Sequence, residues 1–159
     1  MEGTDFDEAG FFRAISDGGV RALLIGRRAL VALGVPVLTA DYDFWIHIDD
    51  AAALNAAVEP FGLIPKRTLE EACATGRYVL ENDEHVDVLV ARVVPTVDKT
   101  RVAFDDVWER RRQVEVTPGA RFALPCLDDL ILTKRFSARP HDLDDLRYLA
   151  ALREEGPAE

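Results

Sequence analysis

Apolar positions along this chain switch between two spacings, one helical and one extended, and the switches mark its elements. "DEAGFFRAISDGG" has the spacing of a short amphipathic helix closed by Gly18-Gly19. "VRALLIG" is an unbroken apolar run of strand length that ends at Gly26. "RRALVALG" returns to helical spacing and stops at Gly34, with Pro36 in the loop that follows. "TADYDFWIHI" predicts a second strand, and Asp49 or Asp50 can cap a helix over "AAALNAAVEPFG". "GRYVLENDEHVDVLVAR" alternates as two strands joined at Asn82-Asp83-Glu84. "FDDVWERRRQVEV" predicts a helical turn and then an edge strand. "PCLDDLILTKRFSAR" predicts a helix capped near Asp128 and stopped before Pro140. "HDLDDLRYLAALREE" predicts a last helix with Leu143, Leu146, Leu149 and Leu152 on one stripe. The fold class that follows is α/β (α+β): a small mixed-sheet core with flanking helices, over about 20–92, and a C-terminal helical pair over about 125–155. At 159 residues the whole chain, 1–159, is expected to form one domain.

Two acids interrupt the second strand. Asp41 and Asp43 are two apart, so they share a face, with Cα atoms about 6.5–7 Å apart. Tyr42 and Phe44 then turn to the opposite face, toward a core. Carboxylates are costly to bury without a cationic partner, and two on one face suit a hard cation such as Mg²⁺. A solvated face would also accommodate them. A third acid, Asp87, sits within the apolar run "EHVDVLVAR". There Val86, Val88 and Val90 point one way, and His85, Asp87 and Leu89 the other. Asp87 either pairs with an arginine, Arg92 or Arg101, or joins Asp41 and Asp43 as a metal ligand and base. Gly26, between a strand and a helix, lets backbone amides approach a phosphate, or is an ordinary tight turn.

Composition narrows the partners. The net charge is -10, against a passive nucleic-acid binder with a basic face, although a local arginine cluster remains compatible with a nucleic-acid substrate. Arg110, Arg111 and Arg112 form one basic run; a solvated face paired to acids is favoured there over an RNA contact. With 48% apolar residues the chain can build a core. Cys73 and Cys126 lack metal-ligand spacing and are expected to be buried free thiols. The acidic start "MEGTDFDEAG" does not resemble a signal peptide, and no apolar run reaches the ~20 residues of a membrane span. These features predict a soluble cytoplasmic protein.

The set "LLIGRRALVALGVP…TADYDF…VDVLV…LDDLILTKRFSARPHDLDDL" resembles the nucleotidyltransferase superfamily (the polymerase-beta-like fold) and, within it, the AbiEii-type and minimal nucleotidyltransferase branches. The resemblance covers roughly residues 20–150. It implies that Gly26 opens the turn over the nucleotide phosphates, that Asp41, Asp43 and Asp87 are catalytic and bind Mg²⁺ (two ions), and that Lys134 meets the phosphates. "R-P-K-D-x-x-D" is matched by Arg139-Pro140-His141-Asp142 and Asp145. Two positions depart from the family. Arg27 stands where a small residue is usual, and there it either crowds the phosphates or binds them. His141 replaces a lysine. The implied activity moves a nucleoside monophosphate from an NTP, ATP among them, to a hydroxyl of a tRNA end, a protein or a small molecule. A toxin with an antitoxin protein as partner fits the family. The alternative is a catalytically silent interaction module on the same fold.

Overall fold

The computed structural model describes residues 6–137 and 139–155. The side chain of His141 and residues 1–5, the start of the acidic N-terminal stretch, lie outside them.

The first strand, β1 (Ala22–Ile25), follows helix α1 (Glu8–Asp17) and runs straight into α2 (Gly26–Ala32). All four of its residues are buried, because both sheet faces are covered there: Leu24 packs in a large cluster, Leu23 and Ile25 in a second one. Then come β2 (Asp41–Ile46), α3 (Ala51–Val58), β3 (Ile64–Pro65), α4 (Leu69–Thr75), β4 (Arg77–Glu81) and β5 (His85–Val90). The sheet order is β1-β2-β5-β4-β3, with β2 and β5 parallel and the other neighbours antiparallel. Two hairpins follow: β6 (Val93–Pro95) with β7 (Arg101–Ala103), then, after α5 (Phe104–Glu109), β8 (Arg112–Thr117) with β9 (Ala120–Leu124). Helices α6 (Leu127–Lys134) and α7 (Pro140–Glu154) complete the chain.

Alternation along β2 divides the molecule. Tyr42, Phe44 and Ile46 enter the large core with Phe11, Phe12 and Phe122. Trp45 enters the opposite one, where Phe104 and Phe136 meet its ring edge-on at centroid distances of 5.4 and 5.6 Å. Asp41 and Asp43 share the Trp45 face. That face is therefore dry at the Trp45 end, under β6, β7 and α5, and open at the acidic end.

Several predicted details differ. Helix α6 ends at Lys134 rather than near Pro140, and its N-cap is Cys126 rather than Asp128. Asp50 does stand at the cap of α3, but its carboxylate serves Arg21 instead, at 2.8 Å from Nε and 2.9 Å from Nη2. On α7 only Leu149 of the leucine stripe is fully buried, and Leu143 is 52% exposed. Cys73 is exposed and Cys126 half-buried, both as free thiols. The short strands β3, β6, β7 and β9 and the helix α4 carry too few periodic positions to stand out in the sequence. Helix α4 did have a local signal, the capping box Thr68–Glu71. Among the described residues no helix is long and apolar enough to cross a membrane.

Candidate active site

A cleft of about 820 Å³ opens on the acidic end of the sheet. Parallel pairing of β2 with β5 sets its floor: Asp41 lies opposite His85, and Asp43 opposite Asp87. Paired residues on adjacent strands share a face, with backbones about 4.8 Å apart. The structure thus brings together all three acids singled out in the sequence, on one face and in one cleft. Asp41 is exposed, Asp43 and Asp87 half-buried.

The Asp43 carboxyl is pushed up to about 6, first by burial and then by the charge of Asp87, against the opposing pull of Lys134. Asp87 has its oxygen 3.2 Å from His85 Nε2, and His85 Nδ1 is 2.9 Å from Glu81. The hydrogen bond with Glu81, reinforced by Asp87, holds the His85 imidazole above its usual range. Asp87 therefore pairs with a histidine beside it, not with Arg92 or Arg101.

Gly26 begins α2 with φ +73°, a left-handed value that favours glycine. A Cβ built there would stand 2.4 Å from Asp43 Oδ2. The residue is thus a close-approach glycine, pressed against the acid that it precedes in the site.

Arg27 lines the cleft but is tied back to α7. Its Nε donates to Asp145 Oδ2 at 3.2 Å, and its Nη2 lies 3.1 Å from Asp145 Oδ1 without hydrogen-bond geometry. Lys134, only 6% exposed, sits 2.7 Å from the same Asp145 and 3.7 Å from Asp142. Asp145 is fully buried. Asp142 accepts from Ser137 Oγ at 2.6 Å and Arg139 Nε at 3.1 Å, and also accepts from the Arg139 backbone at the start of α7. Burial pushes the Asp142 carboxyl up, but these hydrogen bonds and the charges of Arg139 and Lys134 outweigh it and leave it below its ordinary value. Asp142 thus closes a capping box with Arg139 at the start of α7. Asp145 has a larger structural part than its spacing revealed: it gathers Arg27 and Lys134 on one side of the cleft.

The oxygen-only donor set of Asp41, Asp43 and Asp87 suits a hard divalent cation, which would also offset the repulsion that raises Asp43. As the side chains stand, among the described residues no three His, Cys, Asp or Glu groups converge closely enough to hold one ion. The basic run lies elsewhere. Arg110 makes a two-pronged pair with Asp129 at 2.8 and 3.0 Å, and Arg111 stacks over Trp108 at 3.9 Å. Sequence reading passed over Lys66, Arg67 and Arg77 and gave no role to His85, which it set on the Asp87 face; all four line the same cleft. Their signal was positional: once β4 is paired with β5, Arg77, Val79 and Glu81 share the face of Leu89, Asp87 and His85.

The fold is that of nucleotidyltransferases. Among solved structures the chain is similar to a protein assigned as a nucleotidyltransferase (TM1012) from Thermotoga maritima, with a TM-score of 0.59 at 18% identity over 91% of this chain and 87% of that one. It is also similar to the antibiotic-resistance factor ANT(2'')-Ia in solution, with a TM-score of 0.61 at 15% identity over 92% of this chain and 81% of that one. The crystal structure of ANT(2'')-Ia in complex with adenylyl-2''-tobramycin gives a TM-score of 0.59 at 16% identity over 92% and 86%. No protein-family model matches the sequence, and no curated protein gives a significant match. Identities this low establish the fold alone.

Proposed function

We propose that this chain is a Mg²⁺-dependent nucleotidyltransferase that moves a nucleoside monophosphate from an NTP to an acceptor hydroxyl. The observation that carries the proposal is the pairing of Asp43 with Asp87 across β2 and β5, with Gly26 against Asp43 and Lys134 within its field. Asp41, Asp43 and Asp87 would hold Mg²⁺, as two ions, which when bound supplies positive charge to the triphosphate. Gly26 lets the start of α2 close against Asp43 and would supply backbone donors to the phosphates. Lys134 and Arg27, braced by Asp145, offset phosphate charge on that wall. The acceptor oxygen bonds to the α-phosphorus as the bond to the β-phosphate bridging oxygen breaks, and pyrophosphate leaves. Asp87 takes the hydroxyl proton, with His85 orienting its carboxylate. Positioning and electrostatics carry most of the rate.

The sequence pattern supports the AbiEii-type and minimal branches, where a toxin held by an antitoxin is one role and a tRNA end, a protein or a small molecule is the acceptor. The second reading, a silent interaction module on this fold, draws on one observation: both cations of the nucleotide wall are already engaged by Asp145. Calorimetric titration of ATP, GTP, CTP and UTP with and without Mg²⁺, followed by transfer assays with α-labelled NTP, separates the two. The expected result is Mg²⁺-dependent heat for at least one NTP. No heat with any NTP at millimolar concentration removes the enzyme reading and leaves the silent module.

A further inference from the structure

The cleft has a second cationic wall, on the side away from Gly26. A row crosses the sheet from Asp43 to Asp87, to Val79 on β4, and then to Lys66, whose backbone N–H donates to Val79 at 2.9 Å. At about 4.8 Å per strand, Lys66 stands roughly 10 Å from Asp87. Arg77 lies one strand from Asp87 and two residues along, about 8 Å away, on the same face. Arg67 is set between them: its Nη1 donates to Thr75 Oγ1 at 2.6 Å and to the Arg77 carbonyl at 2.9 Å. Both bonds use one nitrogen, so the N–H groups of Nε and Nη2 have no protein partner among the described residues. Among the described residues, neither Arg67 nor Arg77 is paired with a carboxylate. The acids nearby are committed. Glu81 faces the cleft but is shared by His85 at 2.9 Å and Lys66 at 3.7 Å, and Glu71 closes the capping box with Thr68. On a chain of net charge -10, this wall sets three cations, Lys66, Arg67 and Arg77, against one carboxylate, Glu81, beside the acid floor.

We infer that this wall is the acceptor subsite, and that the acceptor is a phosphate-bearing molecule held by Arg67, Arg77 and Lys66 with its hydroxyl presented to Asp87. The inference rests on the proposed transferase reading and deepens it. A polycationic acceptor would be repelled by the same wall. A phosphate oxygen pair matches the fork of a guanidinium, and a partly fixed arginine loses less freedom on binding. The phosphate can belong to a polynucleotide or to a small phosphorylated alcohol; both present the same chemistry to the two arginines.

The test uses the full chain and three probes: a fluorescein-labelled short single-stranded RNA read by anisotropy, glycerol 3-phosphate read by calorimetry, and tobramycin as the polycation. NTP affinity in Mg²⁺ is measured alongside. The expected result is binding of at least one phosphate-bearing probe and weakening by about tenfold or more in the Arg67→Gln/Arg77→Gln double variant, with NTP affinity kept within about twofold. Binding of RNA alone, with a salt slope that drops in the variant, assigns a polynucleotide; binding of glycerol 3-phosphate assigns a small phosphorylated acceptor. Lys66→Gln, at an exposed position, should act in the same direction and guards against a folding defect in the double variant. Binding of NTP but of neither phosphate probe, unchanged probe affinity in the variants, or tighter binding of tobramycin than of either probe overturns the assignment. A wild-type chain that binds no NTP overturns the transferase reading, and this inference with it.

Discussion

Neutralising Asp43 should stabilise the metal-free protein. In the folded chain this carboxyl titrates at about 6 against an ordinary 3.8, because burial and the neighbouring Asp87 both oppose its charge. The folded state thus binds the proton more tightly than the unfolded state. The stabilising contribution of the protonated acid is complete below about pH 4 and is lost as pH rises through about 6. A shift of about two units at 1.36 kcal/mol each sets a ceiling of about 3 kcal/mol at neutral pH. Solvent reaching a half-buried group lowers that to about 1–3 kcal/mol. An amide at this position carries no charge at any pH, so Asp43→Asn should gain that amount at pH 7.5, or about 3–9 °C in Tm for a chain of this length. The gain should shrink toward zero near pH 4, where the wild-type acid is neutral as well. Urea unfolding in EDTA at pH 7.5 and pH 4.5 measures both ends. Added Mg²⁺ should raise the wild-type Tm and leave the variant unmoved. A variant less stable than wild type by several kcal/mol at pH 7.5, or a gain that does not change with pH, would refute the reasoning and make Asp43 a structural partner of Lys134.

Three further outcomes follow from the same contacts. Gly26→Ala puts a methyl 2.4 Å from Asp43 Oδ2 at φ +73°; it should cost about 1–3 kcal/mol in urea unfolding and abolish Mg²⁺-dependent NTP binding in calorimetry. Asp145→Asn leaves Lys134 buried and Arg27 half-buried without their shared anion; a loss of about 3–5 kcal/mol in denaturant unfolding is expected, and a change under about 1 kcal/mol would mean that the network carries no stability. Arg27→Ser should weaken NTP affinity by about tenfold, through the loss of a charge-assisted bond of roughly 1.5–3 kcal/mol; tighter binding would show that Arg27 obstructs the phosphates.

The core strands and the acids were legible because each stands in a strong local pattern. Val86, Val88 and Val90 alternate with His85, Asp87 and Leu89, and the structure keeps that division. Asp41 and Asp43 share a face for the same reason. What the sequence could not carry was pairing. Nothing local says that β5 lies parallel to β2, so the register that sets Asp43 opposite Asp87 was invisible, whereas the Asp87–His85 contact lies within β5, on the face that alternation assigns to both. Helix α7 was found, but its buried side was misjudged: a leucine stripe suggested an apolar face, whereas the helix buries Asp142 and Asp145 with Leu149 and exposes Leu143. Burial of those acids is decided by Lys134 and Arg27, which are distant in sequence. Arg67 and Arg77 carry no local signal, since their place in the cleft depends on β4 lying beside β5.

The same long-range pairing changes the weight of Arg27. Read locally, a long cation after Gly26 crowds the place where the nucleotidyltransferase pattern has a small residue against phosphate. In three dimensions its guanidinium is drawn to Asp145, 118 residues later, and the side chain is 29% exposed. Asp145 simultaneously holds Lys134 at 2.7 Å. One buried carboxylate thus carries two cations; with Asp142 and Arg139 included, Arg27, Lys134 and Arg139 stand against Asp142 and Asp145, and one positive charge is left over. An anion entering there meets surplus positive charge and need not break the network to bind. Arg27 is held by Asp145, and the charges of Lys134 and Arg139 relieve the repulsion between Asp43 and Asp87 only in part.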